Sequence, residues 1–328
     1  MSMLDLIKKF PSQLEQAMQI GEWAKLTQHH KPITKVCIAW LGWSGIWASI
    51  VRDYVNTHFS AIIEVTKDYS IPKRVDSYTL VIINSYSWNT EETIAAMHQA
   101  LEKDAKIVAI SSWGKIQKIA EENNCDHIQV PTGYPPRSAL AYSLVQQLYV
   151  FLFFGLIDDT FKTQIKQSIY YLAYHQKNIE ENAQTGAKQI HNTYPIIYCA
   201  SDKEAVAIRF RQQLNENAKI LCHHHVVPEM NHNELVGRAG ADTTYSVLRL
   251  QTSFDHPKIT QRMDINKEII NKYTHKQYDI IAEGESYREQ ILYLIHFTDY
   301  ISVYLATERG VDATEVNVID YLKKSLEK

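Results

Sequence analysis

The sequence predicts an α/β protein of two domains, each a mostly parallel sheet flanked by helices. Short β-rich runs alternate with helical patterns through the first half, and the same alternation resumes after a break near Asp158. The length of 328 residues and an apolar content of 45% suffice for two cores of ordinary size. Strand and helix in regular alternation is the pattern of parallel sheets, whose crossovers are helical.

In the first half the strands are predicted at residues 35–39, 61–65, 79–83 and 106–110. The stretch 90–103 opens on Thr90, whose hydroxyl can cap a helix, with Glu91 and Glu92 suited to its positive end. After the Pro- and Gly-containing loop 131–136, an apolar helical pattern over 137–154 closes the first domain. The boundary is expected at 155, giving domains 1–155 and 156–328. In the second, a helix-rich segment 159–186 leads to a strand at 195–200 and a helix from 203 to about 216. Further strands are predicted at 219–223, 244–250 and 278–281, followed by helices 286–308 and 316–327.

Charge excludes some functions. The 34 basic and 37 acidic residues give a net charge of −3 without long runs of one sign, so no global field favours nucleic acid or an anionic membrane. Any anion site must be local. The first residues lack a basic stretch followed by an apolar core, and no apolar run reaches the ~18 residues of a membrane span; the expectation is a cytoplasmic protein. Cys37, Cys125, Cys199 and Cys222 are scattered singly, which predicts free, mostly buried thiols. The run Cys222-His223-His224-His225 carries good metal ligands, but neighbours on a strand face opposite ways, so it cannot bring all four to one ion. No metal is predicted.

The segment from Asn84 to Glu92 lies between a buried strand and a helix start, with hydroxyls at Ser85, Ser87 and Thr90. Loop hydroxyls and free N–H groups at a helix N-terminus can hold a phosphate without Lys or Arg. A capped, Ser/Thr-rich turn with no ligand is the simpler alternative. Ser85-Tyr86-Ser87 followed by Asn89-Thr90-Glu91-Glu92-Thr93 resembles the signature of sugar isomerase (SIS) domains. Further blocks, in the order of the family and over nearly the whole chain, resemble the bifunctional phosphoglucose/phosphomannose isomerases: Gly133-Tyr134-Pro135-Pro136-Arg137, residues 213–219, Pro228-Glu229, Asn231-His232-Asn233-Glu234 and residues 302–306.

The resemblance implies two SIS-type domains, the first holding phosphate and the second carrying the catalytic Glu and His. It implies interconversion of fructose 6-phosphate with glucose 6-phosphate or mannose 6-phosphate through a cis-enediol. No cofactor is implied, and the partner is a second copy of the chain, in a homodimer with active sites near the interface. Glu216 resembles the base that shuttles the proton between C1 and C2, and partial burial would tune it for that role. His232 resembles the ring-opening group, titrating near neutrality and able to reach the site from a neighbouring subunit. Arg137 matches the arginine that steadies enediolate charge. Gly42, Trp43, Ser44, Ser85, Ser87 and Thr90 fall in the phosphate loops, and Ser302 and Arg309 correspond to groups that hold the sugar chain.

One departure stands out. Trp40, Trp43, Trp47, Trp88 and Trp113 occupy positions where the resemblance implies glycine. Glycine there would allow positive φ and close approach of backbone to ligand, whereas each indole brings about 150–250 Å² of surface. The expectation is an isomerase whose phosphate site is wholly or partly filled and whose folding bears the strain. The alternatives are an indole platform that stacks on the sugar, or a non-catalytic phosphosugar sensor or scaffold.

Overall fold

A computed structural model describes residues 1–39, 43–55, 61–66, 68–86, 91–237 and 244–326. The side chains of Trp43, Ser44, Trp47, Tyr54 and Leu326 lie outside that description. The chain forms two compact units, Lys9–Tyr170 and Met1–Lys8 with Tyr171–Lys328.

Helix α1 (Met3–Lys8) precedes α2 (Phe10–Trp23), and the first unit then runs β1 (Lys35–Ala39), α3 (Trp43–Val55), β2 (Ile62–Thr66), β3 (Thr79–Ser85), α4 (Glu91–Glu102), β4 (Lys106–Ser111), α5 (Lys115–Glu122), β5 (Asp126–Gln129) and α6 (Leu140–Phe153). The five strands pair in parallel in the order β2-β1-β3-β4-β5. β3 and β4 are buried throughout, as strands covered by helices on both faces must be. One face packs Cys37, Val81, Ile83 and Ala109 against Ala96, Met97 and Ala100 of α4 and Ile116 and Ala120 of α5. α3 and α6 lie together across the other face, with α2 outside α6. Gly21 of α2 permits that contact, since a methyl there would meet the Tyr149 ring of α6 at 2.1 Å. α6 is apolar around most of its circumference and correspondingly buried from Leu140 to Phe151.

The second unit follows α7 (Thr160–Tyr174), within which the division falls. It comprises α8 (Gln176–Ile190), β6 (Tyr194–Ala200), α9 (Glu204–Ala218), β7 (His223–Val227), α10 (Glu234–Gly237), β8 (Tyr245–Gln251), α11 (Pro257–Ile270), β9 (Gln277–Ile281), α12 (Tyr287–Glu308) and α13 (Asn317–Leu326). Its strands are again parallel, in the order β7-β6-β8-β9. α8, α9 and α12 pack together as one layer. Tyr198, Val227 and Val247 pack on the other side against Met230, Leu235 and Met263, which belong to the chain from residue 229 through α11. α1 packs on α12, burying Met3, Leu6 and Ile7, and Lys8 pairs with Glu180 of α8 at 3.1 Å. Among the described residues, no helix is long and apolar enough to cross a membrane.

Candidate active site

In the first unit the chain leaves β1 toward β2 on one side, while β3 lies on the other. Open parallel sheets bind ligands beyond the carboxyl ends of their strands at such a reversal. Ser85 ends β3, buried, in register with Ser111 at the end of β4. Tyr86 follows, and its buried hydroxyl ties the next loop to this edge. It donates to the Pro131 carbonyl (2.8 Å) and accepts from the Tyr134 amide (3.2 Å), and burial pushes the phenol up to about 12. Ser112 donates to the Tyr86 carbonyl at 3.1 Å. The anchored loop delivers Arg137, only 2% exposed, on a 3-10 turn over Pro136–Ser138 that packs against α3. A guanidinium held so far from water keeps its charge while presenting it in a low dielectric, where it acts most strongly.

Gly42, Ser87 and Thr90, with Trp40 and Trp88, lie outside the described residues, and Trp43 and Ser44 enter only through the backbone of α3. That backbone bears on the strain expected from tryptophan. Residues 43 and 47 sit in a right-handed helix, which asks no positive φ of them. Trp113 is 55% exposed, and the left-handed non-glycine residues of the described chain are Asp104, Asn124, Asn192 and Lys219. Its indole therefore faces water without strain; the left-handed position is the following Gly114, at φ 106°. Trp113 thus takes no positive φ and is more than half exposed.

In the second unit Glu216 is half-buried in the last turn of α9. It borders a cavity of about 300 Å³ whose wall also includes Lys219 and Glu315, with Leu221, Val318 and Ile319 as apolar lining. Sequence reading missed Lys219. It takes the left-handed position that ends α9 (φ 56°), and its ammonium donates to the Glu216 and Glu315 carbonyls, both at 2.5 Å. Arg309 Nε donates to the Ala218 carbonyl at 2.9 Å, satisfying another group that the helix end leaves open.

Ser302, expected to hold the sugar chain, is fully buried; it donates to the Asp299 carbonyl (2.6 Å) and accepts from Asn217 (2.9 Å), which braces the residue beside Glu216. The bracing continues inward. Asn217 donates to Gln213 and Gln213 to Asp299, which also receives Arg209 Nη2 at 2.6 Å. Burial drives the Asp299 carboxyl upward, opposed by the Arg209 charge and by the hydrogen bonds from Arg209 and Gln213. Every member is buried, and a buried polar network of this kind fixes the register of α9 on α12.

His232 ends a 3-10 turn, Glu229–His232, that follows β7, and its side chain is exposed. The turn lies on the sheet face opposite α9, since Met230 packs with Tyr198, which shares its face with its register partner His225, whereas the adjacent His224 faces the other way and pairs with Glu204 of α9 (3.4 Å). Glu216 and His232 are thus on opposite layers of one unit. The histidine run divides as alternation requires, His223 going to Glu234 and His224 to Glu204.

The whole chain shares its fold with solved structures of sugar-phosphate proteins. It superposes on the C-terminal domain of glucosamine-fructose-6-phosphate aminotransferase from Francisella tularensis with a TM-score of 0.76, at 12% identity, covering 95% of this chain and 97% of that one. With tagatose-6-phosphate ketose/aldose isomerase from Escherichia coli the TM-score is 0.69 at 14% identity, covering 96% and 95%. Residues 179–326, in the second unit, match the family model of the bacterial phospho-glucose isomerase C-terminal SIS domain. The chain is 36% identical to the bifunctional phosphoglucose/phosphomannose isomerase of Caldicellulosiruptor bescii over 99% of its length and 98% of that protein's. It is 31% identical to the Aquifex aeolicus protein of the same name, over 94% and 95%. The chain belongs to the bifunctional phosphoglucose/phosphomannose isomerase family.

Proposed function

We propose that this protein interconverts fructose 6-phosphate with glucose 6-phosphate and mannose 6-phosphate, and that Glu216 is the base. The observation that carries this is a carboxylate held beside a cavity at the end of a helix whose last turn is fastened by Lys219, Arg309 and the Asn217–Ser302 bond. A base so placed keeps its position through turnover. It removes the C2 proton of the aldose to give a cis-enediol and returns it at C1, while the hydroxyl proton moves between O2 and O1. The substrate is neither oxidised nor reduced overall, so the reaction calls for no cofactor.

Ser85, Ser87, Thr90 and the start of α3 serve the phosphate, and Arg137 the enediolate charge. His232 delivers a proton to the ring oxygen as C1–O5 breaks, the O1 hydroxyl losing one. Because Glu216 and His232 occupy opposite layers, the reading pairs the Glu216 of one protomer with the His232 of a second in a homodimer. Such an enzyme works where its sugar phosphates are, in the cytoplasm.

The test is a coupled assay of glucose 6-phosphate formation from fructose 6-phosphate, run beside one for mannose 6-phosphate. Glu216→Gln is expected to lower kcat by about 10²–10⁴-fold, the usual contribution of a positioned base, with loss of C2 proton exchange and little change in KM. Wild-type turnover in that variant would sink the assignment.

A further inference from the structure

The segment carrying His232 is pinned on both sides of the histidine. Upstream, Met230 is wholly buried beside Tyr198 and Met263, and Asn231 donates to Asn266 of α11 at 2.7 Å. Arg262 reaches Asn231 Oδ1 at 3.4 Å. Downstream, one oxygen of Glu234 accepts from the Tyr198 hydroxyl at 2.5 Å and lies 3.1 Å from His223 Nε2. Glu234 is the first residue of α10, Tyr198 is in the centre of β6 and His223 begins β7. The carboxylate therefore binds a short surface helix to two strands of the sheet. Between the two anchors the side chain of His232 is exposed.

Tyr198 explains why this contact holds. It is 0% exposed, and a buried phenol needs an acceptor because an unmade hydrogen bond there costs far more than one in water. Glu234 supplies the acceptor through a carboxylate oxygen at 2.5 Å. With the upstream anchor and the packing of Leu235 untouched, loss of the carboxylate loosens the downstream side of the turn without unfolding it.

We infer that the Tyr198–Glu234–His223 clasp positions His232 for ring opening, making Glu234 and Tyr198 positioning residues for the isomerisation. The inference rests on the reading of His232 given above.

Ring opening can be observed by itself, as enzyme-catalysed interconversion of the α and β anomers of glucose 6-phosphate followed by NMR exchange. Glu234→Ala and Tyr198→Phe are each expected to slow anomerisation and isomerisation by the same factor, at least about tenfold, with KM within about twofold. Glu234→Gln keeps an acceptor oxygen for Tyr198 and is expected to retain most of both rates. Two results overturn the inference while His232→Ala abolishes anomerisation: wild-type anomerisation in Glu234→Ala, or a loss of isomerisation in it without loss of anomerisation. Wild-type anomerisation in His232→Ala removes the reading of His232 itself, and the clasp's role with it.

Discussion

His296 lies wholly inside α12, and burial holds its imidazole down at about 3. In the unfolded chain the same ring takes a proton near pH 6.5. Between those values the unfolded state binds the extra proton, so the stability this residue contributes is complete above about pH 6.5 and is lost as pH falls toward 3. Replacing His296 by Gln should reduce the drop in stability between pH 7 and 5 by about 2 kcal/mol, from about 1.4 kcal/mol per pH unit below 6.5. Urea unfolding at the two pH values measures it, and an equal drop in both proteins would count against the burial argument. Burial acts on the thiols in the opposite direction, lifting Cys37 and Cys222 to about 12 and raising Cys199 as well. The four cysteines are free, and three are buried, as their single spacing in the sequence implied.

α1 gives the clearest prediction among the elements. Its three buried apolar residues and the Lys8–Glu180 pair all belong to the second unit. Deleting residues 1–8 should cost several kcal/mol, at about 1.5–3 kcal/mol for each buried apolar side chain. The loss should fall on α8 and α12, so hydrogen exchange should quicken there and leave β3 and β4 unchanged; faster exchange in the first unit would refute the attachment. Sequence reading gave no helix here, and it missed α2 and α11 too. α11 offers few apolar positions for a periodicity to show. The buried strands were legible to within two residues because both faces are covered and their apolar runs are continuous. β7 was placed four residues early, on the apolar Ile220–Cys222, because the true strand is an edge built from half-exposed histidines. β5, Asp126–Gln129, is an edge of four residues with a single aliphatic side chain, too little signal for period or run. Glu216 was singled out by the resemblance, since a helix-end carboxylate alone is ordinary, whereas the inward turn of Ser302 depends on which face of α12 meets α9, a fact of packing that spacing does not carry.

At the scale of the whole molecule, the placement of Glu216 and His232 on opposite layers has a direct test. For the homodimer proposed above, equal mixing and reassortment of Glu216→Gln and His232→Ala chains should restore about a quarter of wild-type activity, since a two-fold dimer with one chain of each kind has one intact site of two. No recovery after demonstrated reassortment would show that each protomer works with its own pair.

The attachment of α1 to the second unit also sets an order of events during synthesis. Its docking surface on α12 ends at Glu308, some 300 residues later in the chain. At roughly 5–20 residues per second, the helix waits on the order of 15–60 s with its apolar face uncovered. The first unit can complete its own sheet in that interval. A helix made before the whole of the first unit is therefore placed only after it.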